Sequence, residues 1–449
     1  NLNIRRSIQK DPTSGTNNII NSTLRFTPLF GAVNNDGTWG NGQNGINPLA
    51  QAIDGGVKVV DNNDIDVKGT LALTPIKGME ILASYASRRY ENKQDKFQNT
   101  YDTYEGGNFI MTYPTTKSRY EEWYQLIKNQ FNAQVTYENT FNERHYFKGF
   151  LGFQTDEFKN KSFGGSRNNY YYDGYEEMNH GDASSSMVNG NSSKLTMMSY
   201  FARFNYTFAD KYLIELTGRY DGSSRFTAKN RWGFFPSVSI GWRISEESFF
   251  KENISFISNF KLRASYGVVG DQGGFSPFQY LEGYYYPSGK YLFTENVTTI
   301  GLSSSGIANP DLTWFESKIA NIGFELSILN GLFTAEFDMF RRDRSGLMAR
   351  RNLTLPTSFG TELPEENLNS DMTRGFELVL GHNNTIGDFT YGVKSNATIT
   401  RSRNKYVERA PDSNKYTNWR NNSNDRNKDL TWGYTMIGQF RDYEEILNS

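Results

Sequence analysis

Between Tyr200 and Ile244 the chain alternates apolar and polar residues with a period of two. Tyr200, Ala202, Phe204, Tyr206 and Phe208 share one parity, with Arg203, Asn205 and Thr207 on the other. After a turn at Asp210-Lys211, Tyr212, Ile214, Leu216 and Tyr220 fall on one side, and Lys211, Glu215, Thr217 and Arg219 on the other. A polar loop later, Trp232, Phe234, Val238, Ile240, Trp242 and Ile244 alternate with Arg231, Gly233, Ser237, Ser239 and Arg243. Successive side chains of a strand point to opposite faces, so these runs predict long strands with one apolar and one polar face. Each is about ten residues or more, longer than the usual ~5–6 and close to the ~9–11 tilted residues that cross a bilayer. Aromatic residues gather near the run ends, as in interfacial girdles. A large soluble β-sandwich would alternate in the same way.

The rest of the chain repeats the pattern. Strands are expected around 67–73, 79–85, 131–137, 147–153, 260–268, 320–328, 333–339, 376–380, 389–399 and 432–440, giving about thirteen in all. Residues 1–62 are less regular, with one or two strands expected before Pro28 and a Gly/Asn-rich loop from Asn34 to Gly45. Short turns (75–78, 139–142, 210–211, 383–387 and the Asn330-Gly331 hairpin signal) alternate with long loops (92–123, 158–198, 271–314, 344–372, 403–431). The connections 221–230 and 245–258 fit this rhythm less cleanly. Compact soluble domains rarely repeat loops longer than ~12–15 residues, whereas outer-membrane barrels pair short periplasmic turns with long external loops. The connections therefore favour an all-β fold, a large antiparallel transmembrane β-barrel. The last strand lacks a partner, although every backbone group in hydrocarbon must be paired and single-chain bacterial barrels have even strand counts. The sequence is accordingly expected to be a piece of a longer protein, with strands missing at least at the C-terminal end.

Composition narrows the chemistry. The net charge of −1 gives no bias towards nucleic acid. Hydrophobic residues make up 37% of the chain, mean hydropathy is −0.66, and no apolar run approaches the ~18 residues of a membrane helix. That excludes helical spans and leaves a barrel, whose spans are half polar, untouched. With no cysteine, disulfides, thiolate zinc sites and cysteine nucleophiles are excluded. His145, His180 and His382 lie far apart and read as structural residues. The 28 Tyr and 33 Phe require large apolar or interfacial surfaces. Asn1 to Arg6 is not a signal peptide. No G-x-S-x-G, H-E-x-x-H or phosphate loop occurs, so no catalytic residues are expected. The loop Asn421–Asp429 (NNSNDRNKD) carries enough oxygens for Ca²⁺ but lacks EF-hand spacing, and reads as solvated; neither cofactor nor metal is expected.

Several segments then acquire a common meaning. Arg219 to Trp242 (RYDGSSRFTAKNRWGFFPSVSIGW) resembles a characteristic segment of the SusC/RagA-type TonB-dependent transporters of Bacteroidota. In the same order, Lys261–Gly270 (KLRASYGVVG), Asn309–Glu316 (NPDLTWFE), Leu355–Gly360 (LPTSFG), Arg374–Glu377 (RGFE) and Trp432–Glu445 (WGYTMIGQFRDYEE) resemble that family, with Asn47–Leu49 and Thr74–Gly78 fitting more loosely. The resemblance implies a 22-stranded barrel in the outer membrane of a Gram-negative bacterium, of which residues 1–449 would be a portion. The plug domain, the TonB-contacting segment and the closing strands would lie outside this sequence. It implies active import of oligosaccharides or peptides, a SusD-like surface lipoprotein as lid, and coupling to TonB–ExbB–ExbD through the missing N-terminal part.

The motif residues also have a plain physical reading. Gly222 suits a tight turn after Asp221. Arg219, Arg225 and Arg231 can pair with acidic groups on the polar face, and Pro236, lacking an N–H, implies a strand irregularity. Two aromatic clusters on expected external loops are the candidate substrate- or lid-binding residues: Tyr170, Tyr171, Tyr172 and Tyr175, and Tyr284, Tyr285, Tyr286 and Tyr291. A tyrosine offers a flat apolar face and a polar tip, which suits sugars, peptides or a protein lid, and equally suits self-packing of the loops. Competing functions are a passive porin, a surface adhesin barrel, and a barrel phospholipase or protease, the last disfavoured by the scattered histidines.

Overall fold

A computed structural model describes residues 1–449 apart from 28, 173, 295–296, 353–357, 359, 362, 437 and 449, and apart from the side chains of 287–294 and 297. The strands are β1 (Leu2–Pro12), β2 (Gly56–Leu73), β3 (Met79–Gln98), β4 (Tyr101–Glu105), β5 (Asn108–Tyr113), β6 (Ser118–Phe141), β7 (His145–Asn168), β8 (Met187–Phe208), β9 (Tyr212–Ser223), β10 (Trp232–Arg243), β11 (Ile257–Asp271), β12 (Tyr284–Thr294), β13 (Val297–Ser304), β14 (Phe315–Ile328), β15 (Phe333–Arg350), β16 (Glu365–Ile386) and β17 (Phe389–Tyr406). Five short helices complete the chain: α1 (Thr16–Arg25), α2 (Pro48–Ile53), α3 (Ser248–Asn253), α4 (Lys415–Asn421) and α5 (Tyr443–Leu447). One antiparallel sheet of 13 strands runs β1-β2-β3-β6-β7-β8-β9-β10-β11-β14-β15-β16-β17, and β4-β5 and β12-β13 form separate hairpins. Neighbours in the sheet are thus neighbours in sequence once the two hairpins are set aside. No described helix is long and apolar enough to cross a membrane.

The chain divides into two compact units. The first comprises Asn1–Tyr137, Phe150–Tyr200 and Gly222–Ser224. Its ladders are long: β2 pairs with β3 from Gly56↔Gln98 to Leu73↔Ile81, and β3 with β6 from Met79↔Tyr137 to Gln98↔Ser118. The fully buried Asn47 organises the segment before β2. Its side-chain oxygen accepts from Leu49 N and Ala50 N, both at 3.1 Å, and its amide donates to Ala32 O at 2.6 Å and Gly40 O at 3.0 Å. With Pro48 behind this cap, α2 starts where sequence chemistry dictates.

The second unit comprises Glu138–Gly149, Phe201–Asp221 and Arg225–Ser449. Continuous ladders join β10, β11, β14, β15, β16 and β17. The β14–β15 turn places Asn330 at φ 56° and Gly331 at φ 94°, the left-handed conformations for which that dipeptide is suited. The family-like motifs converge on one aromatic knot. Phe226, Phe235, Phe275, Leu312, Trp314 and Phe315 are buried together, with Trp314 5.4 Å from Phe226 and 5.6 Å from Phe235 between ring centroids. The Trp314 indole donates to Arg231 O at 3.0 Å, and Thr227 Oγ1 to Pro310 O at 3.1 Å. A Cβ at Gly270 would lie 1.9 Å from Phe235 Cζ, so that glycine makes room for the ring. These residues hold strands and loops to one another.

Sheet burial is reversed from that of a soluble protein. On β10, Phe234, Val238, Ile240 and Trp242 are 62, 39, 54 and 38% exposed, while Ser237, Ser239 and Arg243 between them are half-buried. The same parity is exposed on β9 (Tyr212, Ile214, Leu216, Tyr220), β14 (Ile322), β15 (Phe333, Met339), β16 (Phe376, Leu380) and β17 (Phe389, Val393, Ile399). Among the described residues only ten hydrophobic side chains are buried. Burying one such side chain is worth ~1.5–3 kcal/mol, so leaving dozens in water forfeits on the order of tens of kcal/mol, more than the ~5–15 kcal/mol net stability of a fold. The apolar face needs a non-aqueous neighbour. The opposite face is charged: Glu325 accepts from Lys261 and Arg263, both at 3.2 Å, and Arg263 also reaches Asp338.

Several expectations are corrected. Residues 432–440 keep their period-two pattern, but those described (all except 437) form no strand; no neighbour in the described residues supplies the hydrogen bonds, and Tyr434 is fully exposed. The thirteenth strand is instead β1, at the other end of the chain, whose apolar parity (Leu2, Ile4, Ile8) is interrupted by Arg6, ion-paired to Asp61 at 2.8 Å. Much of the expected loops 92–123 and 158–198 is strand, because β3, β6, β7 and β8 extend through stretches with no apolar parity. The hairpins β4-β5 and β12-β13 lie within expected loops. Gly222 makes no turn, since β9 continues to Ser223 and Asp221 is buried with Arg219 Nε 3.0 Å away. Pro236, expected to mark an irregularity, sits inside β10 where its pairing with β11 stops, the last partners being Ser237↔Gly267. Within LPTSFG, Leu355–Thr357 and Phe359 lie outside the described residues.

Two outcomes are expected. Ile240→Lys, on the apolar face, should lower the folded, heat-modifiable fraction in membranes with a cost of roughly 2–4 kcal/mol if mid-bilayer, whereas Ser239→Lys one residue away should be tolerated. Equal behaviour of the pair would contradict the facial assignment. Glu247 accepts from Lys211 Nζ at 2.9 Å, Tyr212 OH at 2.6 Å and Trp242 Nε1 at 3.1 Å, which hold its carboxyl down at about 2. A depressed carboxyl stabilises above its unfolded value of ~4.3 and ceases to as pH falls through the folded one. Glu247→Gln should therefore melt lower than wild type at pH 7, with the gap closing between about pH 4 and 2.

Candidate functional site

The first unit encloses a cavity of about 730 Å³ lined by Trp39, Asp54, Tyr104, Asp102, Tyr172 and Glu176 among others. Its walls come from the loop before α2, the β4-β5 hairpin and the loop after β7. Trp39 Nε1 donates to Asp54 Oδ2 at 2.7 Å, and Thr112 Oγ1 to Asp102 Oδ1 at 2.6 Å, so both acids are held in place. Beneath lies Tyr101, buried, donating to Gly45 O at 3.1 Å; burial pushes its hydroxyl up to about 12 and keeps it neutral. Flat aromatic faces beside fixed acceptors are the chemistry of polar, hydroxyl-rich ligands. The second unit has its own cavity of about 700 Å³, where Tyr285 meets Phe278, Gln279, Arg350 and Glu365. Gln279 Nε2 donates to Glu365 Oε2 at 2.7 Å, orienting that acid.

The two tyrosine clusters separate on inspection. Tyr171 and Tyr172 are 77 and 76% exposed, and Tyr284, Tyr285 and Tyr286 are 74, 63 and 74% exposed, as surface recognition requires. Tyr170 is not available: it is buried, edge-on to Phe97 with centroids 5.3 Å apart. Tyr175 is 58% exposed and also packs on His180, with ring centroids 5.3 Å apart. The side chain of Tyr291 lies outside the described residues. Trp39, Asp54 and Asp102 were not singled out from sequence; a lone tryptophan in the Gly/Asn-rich loop 34–45 was the available signal.

The histidines serve packing. His145 Nδ1 lies 2.8 Å from Tyr206 OH, and His382 Nε2 lies 3.0 Å from Tyr391 OH with its ring 4.6 Å from Phe333. In the loop Asn421–Asp429 the charged groups engage the protein: Asp425 pairs with Arg403 at 2.7 Å, Arg426 lies 5.0 Å from the Trp419 ring, and Lys428 reaches Asp371. Asp371, 2% exposed, also accepts from Arg344 Nε at 2.8 Å. This carboxylate ties the loop after β17 to β16. Asp371→Asn leaves two cations facing a neutral amide; it should cost about 3 kcal/mol and expose 407–431 to limited proteolysis, read as faster cleavage at unchanged overall fold.

Comparison with known proteins fits this construction. Residues 7–445 match the family described as TonB dependent receptor-like, beta-barrel. The TonB-dependent receptor SusC of Bacteroides thetaiotaomicron is 28% identical over 365 residues, which cover 80% of this chain and 34% of SusC. The TonB-dependent receptor P3 of Formosa agariphila is 27% identical over 413 residues, 88% of this chain and 38% of that protein. The RagAB peptide transporter superposes with a TM-score of 0.66 at 23% identity, covering 78% of this chain and 37% of that one. The chain thus spans about a third of the length of the curated relatives it matches.

Proposed function

Because the chain belongs to the TonB dependent receptor-like, beta-barrel family, one of outer-membrane transporters and not of enzymes, we propose that it forms part of an active nutrient importer. The observation that carries this reading is the sheet with an apolar face that no protein layer covers and a charged face laced with ion pairs, matched to the family over nearly its whole length. In this reading residues 1–449 are barrel wall, and plug, TonB-contacting segment and closing strands belong to a longer protein. The apolar parity meets lipid, the charged parity meets the water-filled interior, and the long connections face outward. The cargo is an oligosaccharide or a peptide. A SusD-like lipoprotein closes over the outer loops, and TonB–ExbB–ExbD supplies energy from the inner membrane. Similarity to SusC supports the receptor class, and RagAB, described as a peptide transporter, is in keeping with the peptide alternative. Tyr171, Tyr172, Tyr284, Tyr285 and Tyr286 are the recognition residues of this proposal.

Deleting the gene in its own host should abolish uptake of a labelled oligosaccharide or oligopeptide, and a protonophore should do the same in the wild type. Alanine at those five tyrosines should lower uptake or lid retention several-fold with wild-type amounts of protein in the outer membrane. Uptake indifferent to the protonophore would identify a passive porin, and unaltered uptake in the deletion strain would leave a surface adhesin.

A further inference from the structure

On β15, β16 and β17, the last three strands of the sheet, the apolar parity ends in arginine. Ile322, Met339, Phe376 and Ile399 stand opposite one another across β14, β15, β16 and β17. Two residues further along each strand, on the same face, the row reads Ala320, Arg341, Arg374 and Arg401, again in direct register. A groove of about 540 Å³ runs between these rows, floored by the four apolar side chains and edged by the three guanidinium groups.

Charge in this row is unbalanced. Arg341 holds Asp343 through Nε at 2.7 Å and Nη2 at 3.1 Å, and Asp343 also takes Lys405 Nζ at 2.7 Å. The side chains of Arg374 and Arg401 make no hydrogen bond or ion pair among the described residues, and both residues are exposed. Like-charged residues directly opposite on adjacent strands repel, so the unneutralised Arg374–Arg401 pair opposes the ladder it sits on. An arginine on a lipid-facing position costs ~2–4 kcal/mol at the bilayer centre and little at its edge. The row must therefore sit at an interface.

Which interface follows from the turns. The short β16–β17 turn lies between Ile386 and Phe389, at the end that barrels of this type place in the periplasm. From Phe389 to Arg401 is about 40 Å of strand at ~3.3 Å per residue, or about 30 Å of depth at a tilt of ~40°. That carries the row from the inner edge of the bilayer to its outer edge. Guanidinium groups bind phosphate oxygens in a paired, planar geometry that a lysine ammonium does not offer.

We infer that this row is a binding site for a phosphate-bearing lipid of the outer leaflet, its headgroup between Arg374 and Arg401 and an acyl chain along the Ile322–Met339–Phe376–Ile399 groove. The inference rests on the membrane orientation proposed above but not on import. The bound lipid neutralises the row and becomes a fixed element of the wall at β14–β17.

The test uses the full-length receptor purified from outer membranes and stripped of lipid. It is mixed with the phosphorylated glycolipid of the same membrane, with that glycolipid after phosphatase treatment, or with inorganic phosphate, and bound copies are counted by native mass spectrometry. Wild type should retain the phosphorylated lipid, and Arg374→Ala with Arg401→Ala should weaken retention roughly 30-fold, taking about 1 kcal/mol per surface arginine. Arg374→Lys with Arg401→Lys should fall between, and the phosphatase-treated lipid should bind wild type as poorly as the alanine pair binds the intact one; these two arms stand if the alanine pair fails to fold. Equal retention of both lipid forms by wild type would overturn the inference, as would inorganic phosphate displacing the lipid at equimolar concentration. Absence of the receptor from outer membranes would instead overturn the orientation it starts from.

Discussion

A sheet that presents one apolar side to its surroundings is stable only where those surroundings are not water. Here the thirteen-stranded sheet satisfies its backbone through ladders, but Phe234, Ile240, Ile322, Phe376 and their row-mates find no second protein layer. In a sandwich these residues would interdigitate with a facing sheet and vanish from the surface. Everything else in the molecule accommodates this arrangement. Aromatic residues with polar tips, such as Tyr212 and Trp242, end the apolar rows by donating to Glu247, while the opposite parity neutralises itself through interstrand ion pairs such as Lys261–Glu325.

The residues that make the family recognisable in sequence are those that solve a packing problem. A wall with one thin layer has almost no interior, so the few buried side chains concentrate where connections fold over the strand ends. Phe226, Phe235, Leu312, Trp314 and Phe315 come from separate motifs and meet in one knot, and Gly270 from a further motif leaves space for the Phe235 ring. The residues facing the two cavities lie in the connections, in the β4-β5 and β12-β13 hairpins and at strand ends, outside the alternating apolar rows of the sheet.

Most of the sheet was legible because lipid on one side and water on the other imprint a period of two. Where both sides are wet, the imprint disappears although the ladder continues. Asn92–Gln98 (NKQDKFQ) has no apolar parity and reads as loop, yet pairs residue by residue with Ser118–Tyr124. The converse error has the same origin: Trp432–Phe440 alternates well, but alternation records which side chains would suit a strand and says nothing of a neighbour to bond with. Of the candidate recognition residues, exposure of Tyr171, Tyr172 and Tyr284–Tyr286 followed from their polar loops, whereas burial of Tyr170 depended on Phe97, some seventy positions away, which no local pattern reveals.

The length of β3 has a consequence for the cell exterior. Its twenty residues amount to about 65 Å of strand, or about 50 Å of height at the usual tilt, against a hydrocarbon layer of about 25 Å. In the orientation proposed above, the remainder stands clear of the lipid as ribbon hydrogen-bonded to β2 on one side and β6 on the other. In that orientation an arriving macromolecule would meet the loop tips first and these hydrophilic slats beneath them, so the loops are held well above the lipid surface.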